Sequence, residues 1–90
     1  MRALTILGSS GSIGECALRV AAANPEHIRV TGLAVRRATD KILVQARRFG
    51  VRRIAVADAE AAAEVRRRLP AGVSLLVGDE GVVEIGRAHV

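Results

Sequence analysis

The amino-acid sequence predicts an α/β fold, a parallel sheet of about four strands with helices between them, in an incomplete domain. Three observations carry this expectation. Apolar runs of four to seven residues alternate with longer stretches of helical period through the 90 residues. The runs are continuous rather than alternating, as in strands covered on both faces. The first run passes into a turn of small residues, Gly8-Ser9-Ser10-Gly11-Ser12-Ile13-Gly14, that opens directly into a helix. That strand–turn–helix layout is Rossmann-like, and with the right-handed crossover rule it predicts strand order 3-2-1-4, the first strand inside the sheet.

Arg2 to Leu7 reads as the first strand, central and covered on both faces. Gly8 permits a sharp turn, Gly11 leaves no Cβ to hold a ligand off the backbone, and Gly14 allows close packing of the helix. Amides of the helix's first turn would face an anion, such as a dinucleotide pyrophosphate. The spacing is G-x-x-G-x-x-G, so neither G-x-G-x-x-G nor a Walker A loop is met. A Gly/Ser turn that merely joins strand to helix is the plain alternative.

In the first helix Ile13, Cys16, Ala17, Val20 and Ala21 share the expected apolar face, with Glu15 and Arg19 paired outside. Cys16 is the only cysteine, read as a small buried hydrophobe, and it excludes a disulfide framework. Asn24-Pro25 ends the helix. Ile28 to Ala34 is the second strand, and His27 before it has no metal-binding spacing.

Thr39 or Asp40 is expected to cap a second helix with Ile42, Leu43, Ala46 and Phe49 inward, ended by Gly50. Arg53 to Ala57 is the third strand. Asp58 caps a third helix that buries Ala62, Val65 and Leu69 and pairs Glu64 with Arg68 outside. After Pro70-Ala71-Gly72, Val73 to Val77 is the fourth strand. Gly78 to Gly81 then turns into a final helix of about one turn at Val82 to Ile85. Residues 1–85 are the expected partial domain and 86–90 a tail or truncation end, with the sheet edge left uncovered.

Lys and Arg outnumber Asp and Glu by 14 to 9, a net charge of +5. The arginines lie in separated pairs and a triplet, no aromatics interleave with them, and no nucleic-acid-binding motif is present, so a nucleic-acid partner is not expected. No run approaches membrane-spanning length and no signal peptide is visible, so no membrane partner and a cytoplasmic location are expected. An NAD site would place an acid at the end of the second strand. Here Arg36-Arg37 stand there, and guanidinium groups match the 2′-phosphate of NADP, so NADPH is the expected cofactor.

Leu4 to Gly14, followed by Asn24-Pro25-Glu26-His27-Ile28-Arg29-Val30, resembles the amino-terminus of the 1-deoxy-D-xylulose 5-phosphate reductoisomerase family. The family pattern is G-S-T-G-S-I-G with an N-P-x-x-F/Y-x-V segment after the first helix. The likeness runs to about Ile85, through Ala55 to Asp58 and Val77 to Gly81. It implies that Gly8, Ser9, Ser10, Gly11, Ser12 and Ile13 bind the cofactor pyrophosphate, with Ser10 where the family has Thr. It also implies that Arg37 serves the 2′-phosphate end. The family's Gly-Lys/Arg-Asn reads Arg36-Arg37-Ala38 here, and Arg36 offers a substitute contact.

For the full-length parent, the resemblance implies an NADPH-dependent homodimeric enzyme of the non-mevalonate isoprenoid route. It would rearrange and reduce a phosphorylated ketose, 1-deoxy-D-xylulose 5-phosphate, to 2-C-methyl-D-erythritol 4-phosphate. The Mg or Mn ligands and the substrate site would lie outside this chain, so no catalytic or metal residue is assigned within it. Asp79, Glu80 and Glu84 are read as helix-start and surface acids, and the chain alone is expected to be inactive. Another NADP-dependent reductase with this amino-terminal fold, or a non-catalytic nucleotide-binding module, are the alternatives.

Overall fold

The structure, a computed structural model, describes residues 1–87. The elements run β1 (Arg2–Leu7), α1 (Ser12–Ala23), β2 (Ile28–Val35), α2 (Thr39–Phe49), β3 (Arg53–Val56), α3 (Ala59–Arg67), β4 (Ser74–Val77) and α4 (Gly78–Arg87). The four strands form one parallel sheet, as the sequence predicts, but in the order β1-β2-β3-β4. The expected order 3-2-1-4 is therefore wrong, and β1 lies at an edge. Only Ile6 of that strand is buried.

The reason lies in the connections. Each crossover steps to the adjacent strand in the same direction, and a right-handed crossover repeated in one direction keeps its helix on one face. Reaching the far side of β1 from β3 would mean crossing three strand spacings, about 14 Å. The short α3 instead packs beside α2 and delivers the chain to the next slot. The change of face comes one element later. Helix α4 follows β4 without a loop and crosses the opposite face, touching β3, β4, β2 and β1.

Strand β2 organises the layers because it contains an extra residue. Leu4 pairs with Val30 and Thr5 with Gly32, so Thr31 is bulged out of register, its hydroxyl donating to the Leu4 carbonyl at 3.1 Å. The bulge shifts the strand's alternation by one. Val30, Leu33 and Val35 thus all face the core under α1–α3, together with Ile54, Val56 and Leu43. Each such side chain stabilises the fold by roughly 1.5–3 kcal/mol through burial. Ala34 and Ala55 face the other way, against Ile85 of α4. The small alanines let that single helix lie close to the sheet.

Several local expectations need correction. Helix α1 buries Gly14, Leu18 and Ala21, while Ile13, Val20 and Cys16 are exposed. The close contact of Gly14 with the turn sets the helix's rotation, turning the Ile13–Cys16–Val20 stripe outward. Neither Thr39 nor Asp40 caps α2. Its N-cap is Ala38, without a side-chain bond, because the Thr39 hydroxyl donates backwards to the Arg37 carbonyl. Helix α4 is ten residues long rather than one turn, and takes in Gly86 and Arg87 of the expected tail. The rest of that tail, 88–90, lies outside the described residues.

Other expectations match. Asn24 closes α1, Gly50 closes α2 in a left-handed conformation, and the Asp58 carboxylate accepts from the Ala61 amide at 3.0 Å to cap α3.

Candidate functional site

The glycine turn follows β1 at the carboxyl end of the sheet. Gly8 has φ +73°, a conformation that L side chains rarely adopt, and it reverses the chain. The amides of Gly8 and Ser9 both donate to the Ala34 carbonyl, at 2.8 and 3.0 Å, which anchors the turn to β2. Gly11 is the N-cap of α1, and no side chain caps that terminus. The first-turn amides of Ser12 and Ile13 are therefore left for an external acceptor. A Cβ on Gly14 would lie 2.3 Å from the Gly8 carbonyl oxygen, so only glycine lets α1 begin this close to the turn.

The structure separates the sequence-predicted residues into two kinds. Gly8, Gly11, Ser12 and Ile13 are exposed, and Ser10 is half-buried. Ser9 is fully buried, at 0% exposure, and its hydroxyl donates to Gln45 Oε1 at 2.7 Å. Its side chain shapes the turn and is not offered to a ligand.

Arg36 and Arg37 directly follow β2, at the same end of the sheet as the turn. Their side chains are 74% and 77% exposed and rest near carboxylates, Arg36 with Asp79 at 3.8 Å and Arg37 with Asp58 at 3.6 Å. Exposed pairs of this length contribute little stability. They hold two guanidinium groups over the carboxyl edge, where a doubly charged phosphate would compete with the carboxylates for them. Among the described residues no non-glycine has positive φ, so Arg36 occupies its position without backbone strain.

Two residues beside the turn were not singled out by the sequence reading. Gln45 returns the Ser9 bond by donating from Nε2 to the Ser9 carbonyl at 3.0 Å. Lys41 Nζ reaches the Ser10 carbonyl at 3.4 Å and the Glu15 carboxylate at 2.9 Å. The expected Glu15–Arg19 pair is thus displaced by Glu15–Lys41. The Lys41 ammonium, hydrogen-bonded to it, holds the Glu15 carboxyl below the usual carboxylate range, with Arg19 a smaller influence. A signal for Gln45 was present: it is a polar residue inside the apolar stripe of Ile42, Ala46 and Phe49.

A family model described as 1-deoxy-D-xylulose 5-phosphate reductoisomerase matches residues 4–89 of this chain. The chain belongs to that family. A reductoisomerase of this name from Anaeromyxobacter sp. (strain K) is 44% identical over 85 residues, covering 94% of this chain and 22% of the relative. Among solved structures, the 1-deoxy-D-xylulose 5-phosphate reductoisomerase from Zymomonas mobilis, in complex with NADPH, superposes with a TM-score of 0.86 at 27% identity. That likeness covers 93% of this chain and 22% of the other. A DOX-P reductoisomerase in complex with NADPH, fosmidomycin and magnesium gives a TM-score of 0.87 at 30% identity, over 94% of this chain and 21% of the other.

The chain thus spans about a fifth of the length of the reductoisomerases it matches. Among the described residues, no three His, Cys, Asp or Glu side chains gather as metal ligands would. Asp79 and Glu80 occupy the first turn of α4, as the sequence reading had them, and Asp79 is occupied by Arg36. Among the described residues no helix is long and apolar enough to cross a membrane.

Proposed function

We propose that this chain is the NADPH-binding amino-terminal part of a 1-deoxy-D-xylulose 5-phosphate reductoisomerase. The observation that carries the reading is the glycine turn, which opens an uncapped helix beside two exposed arginines at one edge of a parallel sheet. Family membership and the NADPH-bound relatives support it. The amides of Ser12 and Ile13, with the open backbone at Gly11, receive the pyrophosphate. Arg36 and Arg37 receive the adenosine 2′-phosphate. The cofactor, when bound, supplies the hydride that reduces the rearranged substrate.

The complete protein is a cytoplasmic homodimer that uses Mg or Mn, without nucleic-acid or membrane partners. It converts the phosphorylated ketose to 2-C-methyl-D-erythritol 4-phosphate, with metal ligands and substrate site outside the present residues. The chain by itself is a cofactor half-site and turns over no substrate. Sequence on either side of this segment in the gene tests the larger claim. Flanking codons for an acidic metal-ligand set and a phosphate site support it, and a reading frame confined to these 90 codons overturns it.

The smaller claim is tested by titration. NADPH is expected to bind more tightly than NADH by about 1–3 kcal/mol, as one or two charge-assisted bonds supply. Replacing Arg36 and Arg37 together by Ala is expected to erase most of that difference. Equal affinities for the two cofactors in the unsubstituted chain would overturn the assignment of the arginines.

A further inference from the structure

Ser9 is the only polar side chain fully buried among the described residues, and it is served entirely by one partner from another element. The Ser9 hydroxyl donates to Gln45 Oε1, and Gln45 Nε2 donates back to the Ser9 carbonyl, at 2.7 and 3.0 Å. The Ser9 amide is already engaged by Ala34. All three hydrogen-bonding groups of this residue are therefore fixed, two of them by α2 across 36 positions of sequence. The primary amide of Gln45 offers a donor and an acceptor together at that reach.

We infer that Gln45 is a positioning residue for cofactor binding, one that sets the direction of the peptide between Ser9 and Ser10. This rests on the glycine turn's receiving the pyrophosphate. A trans peptide is planar, with its C=O and N–H pointing opposite ways. Holding the Ser9 carbonyl toward α2 consequently points the Ser10 N–H away from α2. The next carbonyl, of Ser10, is met by Lys41 from the same helix, and the Gly11 amide bonds to the Gly8 carbonyl at 3.1 Å. Helix α2 thus draws two consecutive carbonyl dipoles of the turn toward itself. A peptide free to rotate would at times present an oxygen, rather than an N–H, to the incoming anion, and binding would weaken.

The test uses the 90-residue chain, isotopically labelled, under conditions where each variant is folded by its NMR spectrum. Gln45→Met keeps the bulk and removes both bonds. Gln45→Glu keeps the acceptor for the Ser9 hydroxyl and removes only the donor, and it serves if the methionine variant fails to fold. Without ligand, the Ser9 and Gly11 amides are expected to exchange with solvent roughly tenfold faster in either variant, as loss of about one hydrogen bond implies. NADPH affinity is expected to fall roughly tenfold or more.

Adenosine 2′-monophosphate carries the arginine-facing phosphate but no pyrophosphate, and its affinity is expected to stay within about twofold, because only the turn is altered. A merely structural role for Gln45 would move both ligands together, and that result overturns the inference. So does unchanged exchange at Ser9 and Gly11, or unchanged NADPH affinity. If the unsubstituted chain binds neither ligand, the cofactor reading itself fails, and with it the functional part of this inference; exchange at Ser9 and Gly11 then still decides whether Gln45 holds the turn.

Discussion

At the residue scale, the three glycines of the turn play different physical roles, and substitution tells them apart. Replacing a helical glycine by alanine ordinarily gains about 1 kcal/mol. At Gly14 the added Cβ would sit 2.3 Å from one backbone atom and 2.7 Å from another, neither able to swing away. The clash wins, and Gly14→Ala is expected to lower stability by about 1–3 kcal/mol or more, measured as a lower urea midpoint. Gly11 has a φ of −81°, allowed for any residue, and its Cβ would make only an ordinary 3.5 Å contact. Gly11→Ala is expected to cost about 1 kcal/mol or less while weakening NADPH binding. Equal stability losses in the two variants would show that the turn is not packed as described.

At the element scale, the contact between α1 and α2 runs through Lys41 and Glu15. The Glu15 pKa is depressed in the folded chain. The contribution of the pair is therefore fully present above the unfolded value, about 4.3, and is lost as pH falls through the lower folded value. Lys41→Met is expected to return the Glu15 carboxyl toward its ordinary pKa, read by NMR titration of the side-chain carbon. An unmoved Glu15 titration would mean that Lys41 does not hold it in solution.

The elements themselves were largely legible in the sequence, because a change of hydrophobic period and the punctuation by Asn24-Pro25, Gly50 and Asp58 act locally. What was hidden is relational. The stripe Ile13, Cys16 and Val20 looks as apolar as the true inner face, and only the tight approach at Gly14 selects between them. The site's glycines and arginines were visible as residue types. That Ser9 faces inward, and that Gln45 holds it, depends on the placement of α2 against the turn, which no local pattern encodes. Strand order was hidden for the same reason, since the βα alternation is compatible with a crossover in either direction.

At the scale of the whole molecule, the two faces and two edges of the sheet are unequal. Among the described residues, one face carries α1, α2 and α3, and the other only α4. β1 is an edge strand, so among the described residues its backbone is paired on one side and open on the other. The amides of Arg2 and Gly8 donate toward β2, and by alternation those of Ala3, Thr5 and Leu7 point outward. Such a row is a template on which another extended chain can add. The two sets of positions consequently differ in their tolerance of an imino acid. Ala3→Pro deletes an outward N–H that bonds to nothing in the sheet. It is expected to leave the urea midpoint nearly unchanged and to reduce concentration-dependent association in sedimentation runs. Leu4→Pro removes a rung of the ladder and is expected to unfold the edge. Greater damage from Ala3→Pro than from Leu4→Pro would place the hydrogen-bonding side of β1 the other way round. Alternate residues of one short strand thus answer to different demands, one set to the fold of its own chain and the other to the solubility of the population.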